Sequence, residues 1–281
     1  MRLLFGFDVE TFSATDLKKC GAYLYARHPT TDVRCVSYCI IENGRRGPVK
    51  IWFPGDPPPA ELVEIEHDTH ADTLTFHDAF DRQIHQVILA QRYGWPFIPL
   101  ERRYCAQAAA LARALPASLD AAAAVLKIPT RKSKEGVAVM KRLAAPRRQS
   151  AKERKAGKPL DFTATSKELQ VLKEHASNDV TMMLDVVDRV GLLTPAEQAI
   201  WILDQQVNER GVHMDITLLE TGLLLEQAAK RENCAQIAEL TSGAVTTPGQ
   251  RERVLAWLNE QGCKIGNLRT ATVTQRCWIR G

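Results

Sequence analysis

Several features are missing from this 281-residue chain, and each absence removes a class of protein. No apolar stretch reaches the roughly 20 residues that a membrane-spanning helix needs, and the apolar start over residues 1–5 is too short for a signal peptide. The seven cysteines are odd in number and form no close Cys-x-x-Cys pair. This pattern argues against a zinc site and favours free thiols in a reducing compartment. We therefore expect a cytoplasmic protein with no membrane partner.

Basic residues concentrate in one stretch, although the net charge of the chain is only +4. Only Glu135 and Glu153 oppose them there. The basic stretch contains Arg131, Lys132, Lys134, Lys141, Arg142, Arg147, Arg148, Lys152, Arg154, Lys155 and Lys158. A phosphate backbone is the natural partner of such a patch, so binding through it is expected to weaken with salt. The alternative is a solvated loop, because Pro146, Gly157 and Pro159 interrupt the stretch.

Two acidic residues end the first apolar run of the chain. Residues 3–9 predict a buried strand, and the side chains of Asp8 and Glu10 share one face because strand side chains repeat every second residue. Two adjacent anions in a low dielectric repel each other, and a hard cation such as Mg²⁺ or Mn²⁺ removes that cost. Taken alone, the pair is better explained as the solvated end of a strand, because short motifs often match by chance.

Two further acidic residues lie in segments with helical periodicity. A short strand at residues 73–76 precedes an apolar pattern that places Asp81 in the first turn of a helix. In the segment over residues 169–184, His175 and Asp179 lie four residues apart and therefore share a helix face. Each feature has a simpler explanation by itself, a helix-dipole partner for Asp81 and a solvated ion pair for His175 and Asp179.

Taken together, these motifs resemble the DnaQ-like (RNase H-like) 3′-5′ exonuclease domain of phage-type family A DNA polymerases. Residues 7–11 match the first motif of that family, Phe80-Asp81 the core of the second, and Asp179-Val180 the acidic end of the third. The segments between the motifs are also similar, in family order, from residue 3 to about residue 260. They are Tyr93–Pro96, Leu115–Asp120, Lys132–Gly136, Ala145–Arg148 and Trp201–Asp215.

The resemblance implies a two-metal exonuclease. Two Mg²⁺ or Mn²⁺ ions would be held by four acidic ligands, and nucleoside 5′-monophosphates would be released from a single-stranded or frayed DNA 3′ end. The ligands would be Asp8, Glu10, Asp81 and Asp179. Thr11 and Phe12 are candidates to grip the terminal nucleotide, although a strand-end turn explains them as well. We also assign Arg131, Lys132 and Lys134 to substrate binding.

Two positions depart from the family pattern. His77 stands where an asparagine commonly precedes the second-motif aspartate, and we include it among the substrate-binding candidates. His175 stands at the spacing of a tyrosine, and an imidazole with a pKa near 6.5 suits proton transfer better than a phenol near 10. The alternative is a satisfied histidine on the helix surface.

The predicted fold class is α/β, an RNase H-like mixed β-sheet flanked by helices, with a C-terminal helical appendage. We expect an exonuclease domain over residues 1–192 and, over residues 193–281, an appendage resembling the incomplete start of a polymerase domain. No palm motif is present, so we expect no polymerase activity, although a polymerase partner in trans is possible. The other functional hypotheses are a catalytically decayed DNA-binding remnant and an RNA-directed 3′-5′ exonuclease.

Overall fold

The first strand lies at the centre of a six-stranded sheet. The computed structural model describes residues 3–67 and 71–277. The strands are β1 (Leu3–Phe12), β2 (Asp32–Glu42), β3 (Arg45–Arg46), β4 (Lys50–Trp52), β5 (Ala71–Thr75) and β6 (Arg103–Cys105). Their order is β3-β2-β1-β5-β6, with β4 also paired to β2. β2 is antiparallel to β1, whereas β5 and β6 continue the sheet in parallel. The predicted RNase H-like mixed sheet is confirmed.

The antiparallel opening of the sheet follows from its turn residues. Asn43 and Gly44 both adopt positive φ angles, of 51° and 78°, which is the geometry of a tight hairpin between twisted strands. The hairpin joins β2 to β3.

Helices cover both faces of the sheet. The bounds in the first part of the chain are α1 (Leu17–Arg27), α2 (Ala60–His67), α3 (Asp78–Ile84), α4 (Ala90–Tyr93), α5 (Ala106–Leu111), α6 (Leu119–Val125), α7 (Lys134–Leu143), α8 (Ala151–Lys155), α9 (Ser166–Val190) and α10 (Pro195–Arg210). A π-helical segment, His85–Leu89, joins α3 to α4, and a 3₁₀ turn, Leu100–Arg102, precedes β6. Within the described ranges, no helix is long and apolar enough to cross a lipid bilayer.

Alternation along β1 sends its side chains to two different cores. Phe5, Phe7 and Val9 are buried in a cluster that also contains Tyr25 of α1 and Ile84 of α3. Burial of one such large apolar side chain is worth about 1.5–3 kcal/mol. Gly6 faces the other side, where a Cβ would lie 3.2 Å from Leu184 and 3.4 Å from Met183 of α9. Asp8 and Glu10 share the parity of Gly6, so they too are directed toward α9.

The chain forms two compact units that divide after Arg210. The first unit therefore extends beyond the predicted boundary at residue 192 and includes α10. The reason is polar anchoring, since Gln198 donates a hydrogen bond of 2.8 Å to the backbone oxygen of Arg103, and Gln205 accepts one of 3.0 Å from Arg82.

The second unit is helical, with α11 (Ile216–Leu240), α12 (Arg251–Glu260) and α13 (Thr270–Cys277). Its small buried centre contains Val245 and Ile265. The Thr241 hydroxyl at the end of α11 accepts a hydrogen bond of 3.0 Å from the Val245 amide. The predicted C-terminal helical appendage is thus present, starting later than expected.

Candidate metal and nucleic-acid site

The end of β1 carries the first two candidate ligands. Asp8 pairs in register with Ser37 and Glu10 with Cys35, and the register shifts between Glu10 and Thr11. Both carboxylates are partly buried. They therefore lie just before a break in the regular pairing of β1. Such irregularities, including β-bulges, are common beside functional sites.

Helix α9 supplies the opposing side chains. Its start is fixed by a capping box in which Thr165 accepts from the Glu168 amide and Glu168 accepts from the Thr165 amide. In the middle of the helix, His175 and Asp179 are both buried, with 2% and 6% exposure. Such burial contradicts the alternatives of a satisfied surface histidine and a solvated ion pair.

Three side chains from the two elements come close enough to share one metal ion. One ligand atom each from Glu10, His175 and Asp179 lie within 4.8 Å of one another. Neither nitrogen of His175 has a hydrogen-bond partner among the described residues, and the same is true of Oδ1 of Asp179. Buried polar atoms normally have partners, so these orphaned atoms are positioned to bind something that approaches from the site.

Asp81 lies at the start of α3 and is also buried, with 3% exposure. Its Oδ2 atom makes no hydrogen bond within the described part of the chain. Burial raises the pKa of Asp81 well above its usual range, and the charges of Asp8 and Asp78 raise it further. The position of Asp81 in the first turn of a helix was therefore predicted correctly. The alternative, that Asp81 only interacts with the helix dipole, does not explain its burial among other acids.

The acids perturb one another as a single cluster. Burial raises the pKa of Asp8 to about 7, with a further contribution from Asp179. The pKa of Glu10 also rises well above its usual range, first through burial and then through the charges of Asp8, Asp179 and Asp81. Glu10 and Asp179 thus lie in one group with His175, and the charges of Asp8 and Asp81 act on the same acids. A divalent cation would relieve the repulsion between these carboxylates.

Among the three basic candidates, only Lys132 reaches this cluster. Its ammonium donates a hydrogen bond to Oδ2 of Asp179. Arg131 and Lys134 are exposed, and the Arg131 guanidinium donates instead to the backbone oxygen of Thr130 at 3.0 Å. Sequence reasoning placed Lys132 in a phosphate-binding stretch and missed its partner on α9.

The candidates for gripping a nucleotide lie beside the acids in the chain but have protein partners. The Thr11 hydroxyl is 3.1 Å from the Tyr25 hydroxyl. The ring of Phe12 packs against that of Phe162 with centroids 4.8 Å apart, and the Arg34 guanidinium lies 4.1 Å from the Phe12 centroid. Phe12 therefore belongs to an aromatic and cationic cluster whose other members the sequence did not indicate.

His77, the other departure from the family pattern, is exposed and stands at the N-cap of α3. Its side chain makes no capping hydrogen bond with any described residue. Although the side chain is exposed, the surrounding protein displaces part of its hydration, which lowers its pKa against a smaller opposing influence of Asp78.

A buried charge network beneath Asp81 was not predicted. The Arg103 guanidinium is fully buried, and it donates to Oδ1 of Asp78 at 2.7 Å and to Nδ1 of His85 at 2.8 Å. Arg82 lies 3.2 Å from the same Asp78 carboxylate and pairs with Glu209 of α10. The only sequence signal was the i,i+4 spacing of Asp78 and Arg82. This network fixes the helix that carries Asp81.

The sheet has the strand order of an RNase H-like α/β fold, and acidic side chains lie at the end of its central strand. The chain is similar to the DNA polymerase of Bacillus phage SP02, with 26% identity over 265 residues. The match covers 93% of this chain and 39% of the polymerase, so the chain spans well under half of that relative. The resemblance to a phage DNA polymerase is thereby confirmed.

No protein-family model matches the chain. Among solved structures, Brucella melitensis NrnC aligns with a TM-score of 0.42 and 15% identity, covering 76% of this chain and 89% of that one. NrnC with bound Mg²⁺ gives a TM-score of 0.41 and 14% identity, covering 76% and 89%. A nuclease in its apo form gives 0.32 and 16%, covering 76% and 88%. Likeness of this extent establishes neither substrate nor reaction.

Proposed function

We propose that this chain is a metal-dependent 3′-5′ exonuclease that hydrolyses phosphodiester bonds at single-stranded or frayed DNA 3′ ends and releases nucleoside 5′-monophosphates. The observation that carries the proposal is the convergence of four distant acids with a buried histidine. Asp8 and Glu10 come from β1, Asp81 from α3, and His175 and Asp179 from α9. Their mutual effects on pKa are those of a single cluster.

The residues present suit divalent cations. Carboxylate oxygens are the ligands that Mg²⁺ and Mn²⁺ prefer, and orphaned atoms of Asp81, Asp179 and His175 line the cluster. We assign Asp8, Glu10, Asp81 and Asp179 as the residues that hold two ions. Bound there, the ions would lower the pKa of the attacking water and stabilise the departing 3′-oxygen.

His175 is the proposed proton acceptor. Burial lowers its pKa, an effect that the nearby Asp179 charge only partly offsets. The imidazole is therefore neutral at physiological pH and able to take the proton from the attacking water. Its free nitrogens and its place beside Asp179, 3.9 Å from Nε2 to Oδ2, support that assignment.

The terminal nucleotide is proposed to bind beside the end of β1. Phe12 and Phe162 offer apolar surface, and Arg34 and Lys132 offer positive charge. Stacking of a base on an aromatic ring does not depend on sequence, so we expect little base preference. Thr11, His77, Arg131 and Lys134 remain candidates for contacts with flanking nucleotides.

DNA is the preferred substrate in this proposal because the chain is similar to a phage DNA polymerase over 93% of its length. We also propose that a polymerase in trans supplies the ends, which would make the activity a proofreading one. The corresponding test compares a matched and a mismatched 3′ end, and faster removal of the mismatched nucleotide is expected because it frays more readily.

The proposed function is tested by incubating end-labelled single-stranded DNA, RNA and mismatched duplex with the protein in Mg²⁺, Mn²⁺ or EDTA. We expect mononucleotides from the DNA 3′ end, no product in EDTA and none with Asp8→Ala. The matched control is Asp188→Asn, an exposed acid on the same helix as Asp179, which should retain full activity. DNA retention without release would instead identify a binding module, and a clear preference for RNA would identify an RNA-directed enzyme.

A further inference from the structure

Lys132 occupies an unusual place for a lysine, inside the group of acids. Its side chain is only 25% exposed, and its ammonium pairs with the carboxylate of Asp179, which is 8% exposed. The charge of Lys132 also lowers the pKa of both Asp8 and Glu10. In the protein without nucleic acid, the acid cluster therefore contains a cation that belongs to the chain itself.

The position of Lys132 is built by its neighbours. Ser133 caps α7, with its hydroxyl accepting from the Gly136 amide at 2.9 Å. Gly136 in turn lies so close to α9 that a Cβ would be 2.9 Å from Nδ1 of His175. The start of α7 is thus packed against the helix face that carries His175 and Asp179. Lys132, one residue before this cap, is held beside the acids.

A divalent cation bound to Oδ1 of Asp179 and the Lys132 ammonium on Oδ2 would repel each other, because two positive charges would then lie close together in a partly buried site. The lysine stem is flexible, with four carbons between the backbone and the charge, so the ammonium can leave Asp179 without refolding of the segment. A phosphate group is a natural new partner for a released ammonium in a nucleic-acid site. The geometry therefore suggests two alternative partners for the same side chain.

Building on the proposed function, we infer that Lys132 is an internal counter-ion that competes with the divalent cation for Asp179 and transfers to a phosphate of the bound nucleic acid. Its role is that of a substrate-binding residue that also neutralises part of the negative charge of the acid cluster. Removal of its charge has opposite effects on the two ligands, because the metal loses a competitor and the nucleic acid loses a contact. A purely structural lysine would weaken both.

The test measures Mn²⁺ binding to the full chain by the paramagnetic signal of free Mn²⁺, without nucleic acid. Lys132→Met should bind Mn²⁺ about tenfold more tightly than the wild type, because a competing positive charge at the acid cluster is removed. The same variant should show a KM for single-stranded DNA raised several-fold. Lys127→Met is the matched control, an exposed lysine at the end of α6, and it should change neither quantity.

A second variant controls for effects of misfolding. Lys132→Arg keeps the positive charge, so its Mn²⁺ affinity should stay near that of the wild type, while thermal unfolding checks that both variants are folded. Unchanged or weaker Mn²⁺ binding by folded Lys132→Met overturns the inference and leaves the proposed function standing. Failure of the wild type itself to bind Mn²⁺ overturns both.

Discussion

Nε2 of His175 lies 3.9 Å from Oδ2 of Asp179, one turn apart on the same face of α9. The imidazole is buried and its two nitrogens have no hydrogen-bond partner in the described ranges. Because burial also lowers the pKa of His175, this side chain is a neutral base aimed into the acid cluster.

We expect His175→Gln to lower kcat by about 10²- to 10⁴-fold, the usual contribution of a positioned general base. In the wild type, activity should fall as the pH drops through the pKa of the imidazole, which lies below its ordinary value of 6.5. The variant should lack that acid limb. A pH profile of kcat for both proteins checks this, and equal rates would remove His175 from the mechanism.

Gly136 is predicted to be intolerant of alanine, although alanine is the better helix former. A Cβ there would lie 2.8 Å from Oγ of Ser133 and 2.9 Å from Nδ1 of His175. Overpacking of this kind costs about 1–3 kcal/mol of unfolding free energy. Displacement of His175 should also lower kcat by about 10²-fold, because catalysis is sensitive to shifts of about 1 Å.

The matched control for Gly136→Ala is Gly222→Ala in α11. No atom of the described residues lies within 4 Å of a Cβ built at Gly222, so this variant should be neutral or stabilised by up to about 1 kcal/mol. Denaturant unfolding and nuclease assays of both variants make the comparison. Equal behaviour of the two variants would show that the close approach of α7 to His175 is unimportant.

The metal-free protein is predicted to lose stability through Asp8 as the pH rises. Burial raises the pKa of Asp8 from 3.8 to about 7, so between these values the native state binds more protons than the unfolded state. The contribution of Asp8 to the free energy of unfolding is fully present below pH 4, and it is lost as the pH rises through 7. The difference in melting temperature between Asp8→Asn and the wild type should therefore grow, in favour of the variant, from pH 4 to pH 7.

Measurements in EDTA and in excess Mn²⁺ provide the control for the pH experiment. Mn²⁺ should stabilise the wild type more at pH 8 than at pH 5, since it binds the ionised carboxylates. It should stabilise Asp8→Asn much less. A difference between the two metal-free proteins that stays constant with pH would contradict the predicted burial of a carboxyl with a raised pKa.

Asp78→Asn is predicted to be strongly destabilising. The Asp78 carboxylate is the partner of two buried guanidinium groups, those of Arg82 and Arg103. Removal of one member of a buried ion network typically costs 3–5 kcal/mol. Asp188→Asn is the control, because Asp188 is 69% exposed in its pair with Arg46 and such pairs contribute about 1 kcal/mol or less. Urea unfolding should separate the two variants, and a similar loss in both would contradict the buried network.

The parts of the fold that the sequence predicted have strong local signals. The apolar run over residues 3–9 predicted most of β1, and the helical period over residues 169–184 predicted the middle of α9. No local pattern reports a contact across more than a hundred residues. The expectation that four distant acids come together therefore came from the order of the motifs.

The parts that were missed lack such signals. Helix α1 is interrupted by Gly21 with a φ of 73°, and β6 has three residues, one of them the buried Arg103. Helix α10 was assigned to the appendage because an amphipathic pattern does not identify the surface on which it packs. The pairing of Lys132 with Asp179 joins residues whose proximity only the tertiary fold creates.

Anomalous diffraction from crystals of the protein grown with Mn²⁺ tests whether the acid cluster holds metal ions. We expect Mn²⁺ peaks bound by Glu10 and Asp179, with Asp8 and Asp81 completing the ligand set. Crystals that diffract well but show no peak at this cluster in saturating Mn²⁺, or peaks bound only elsewhere, would contradict this expectation.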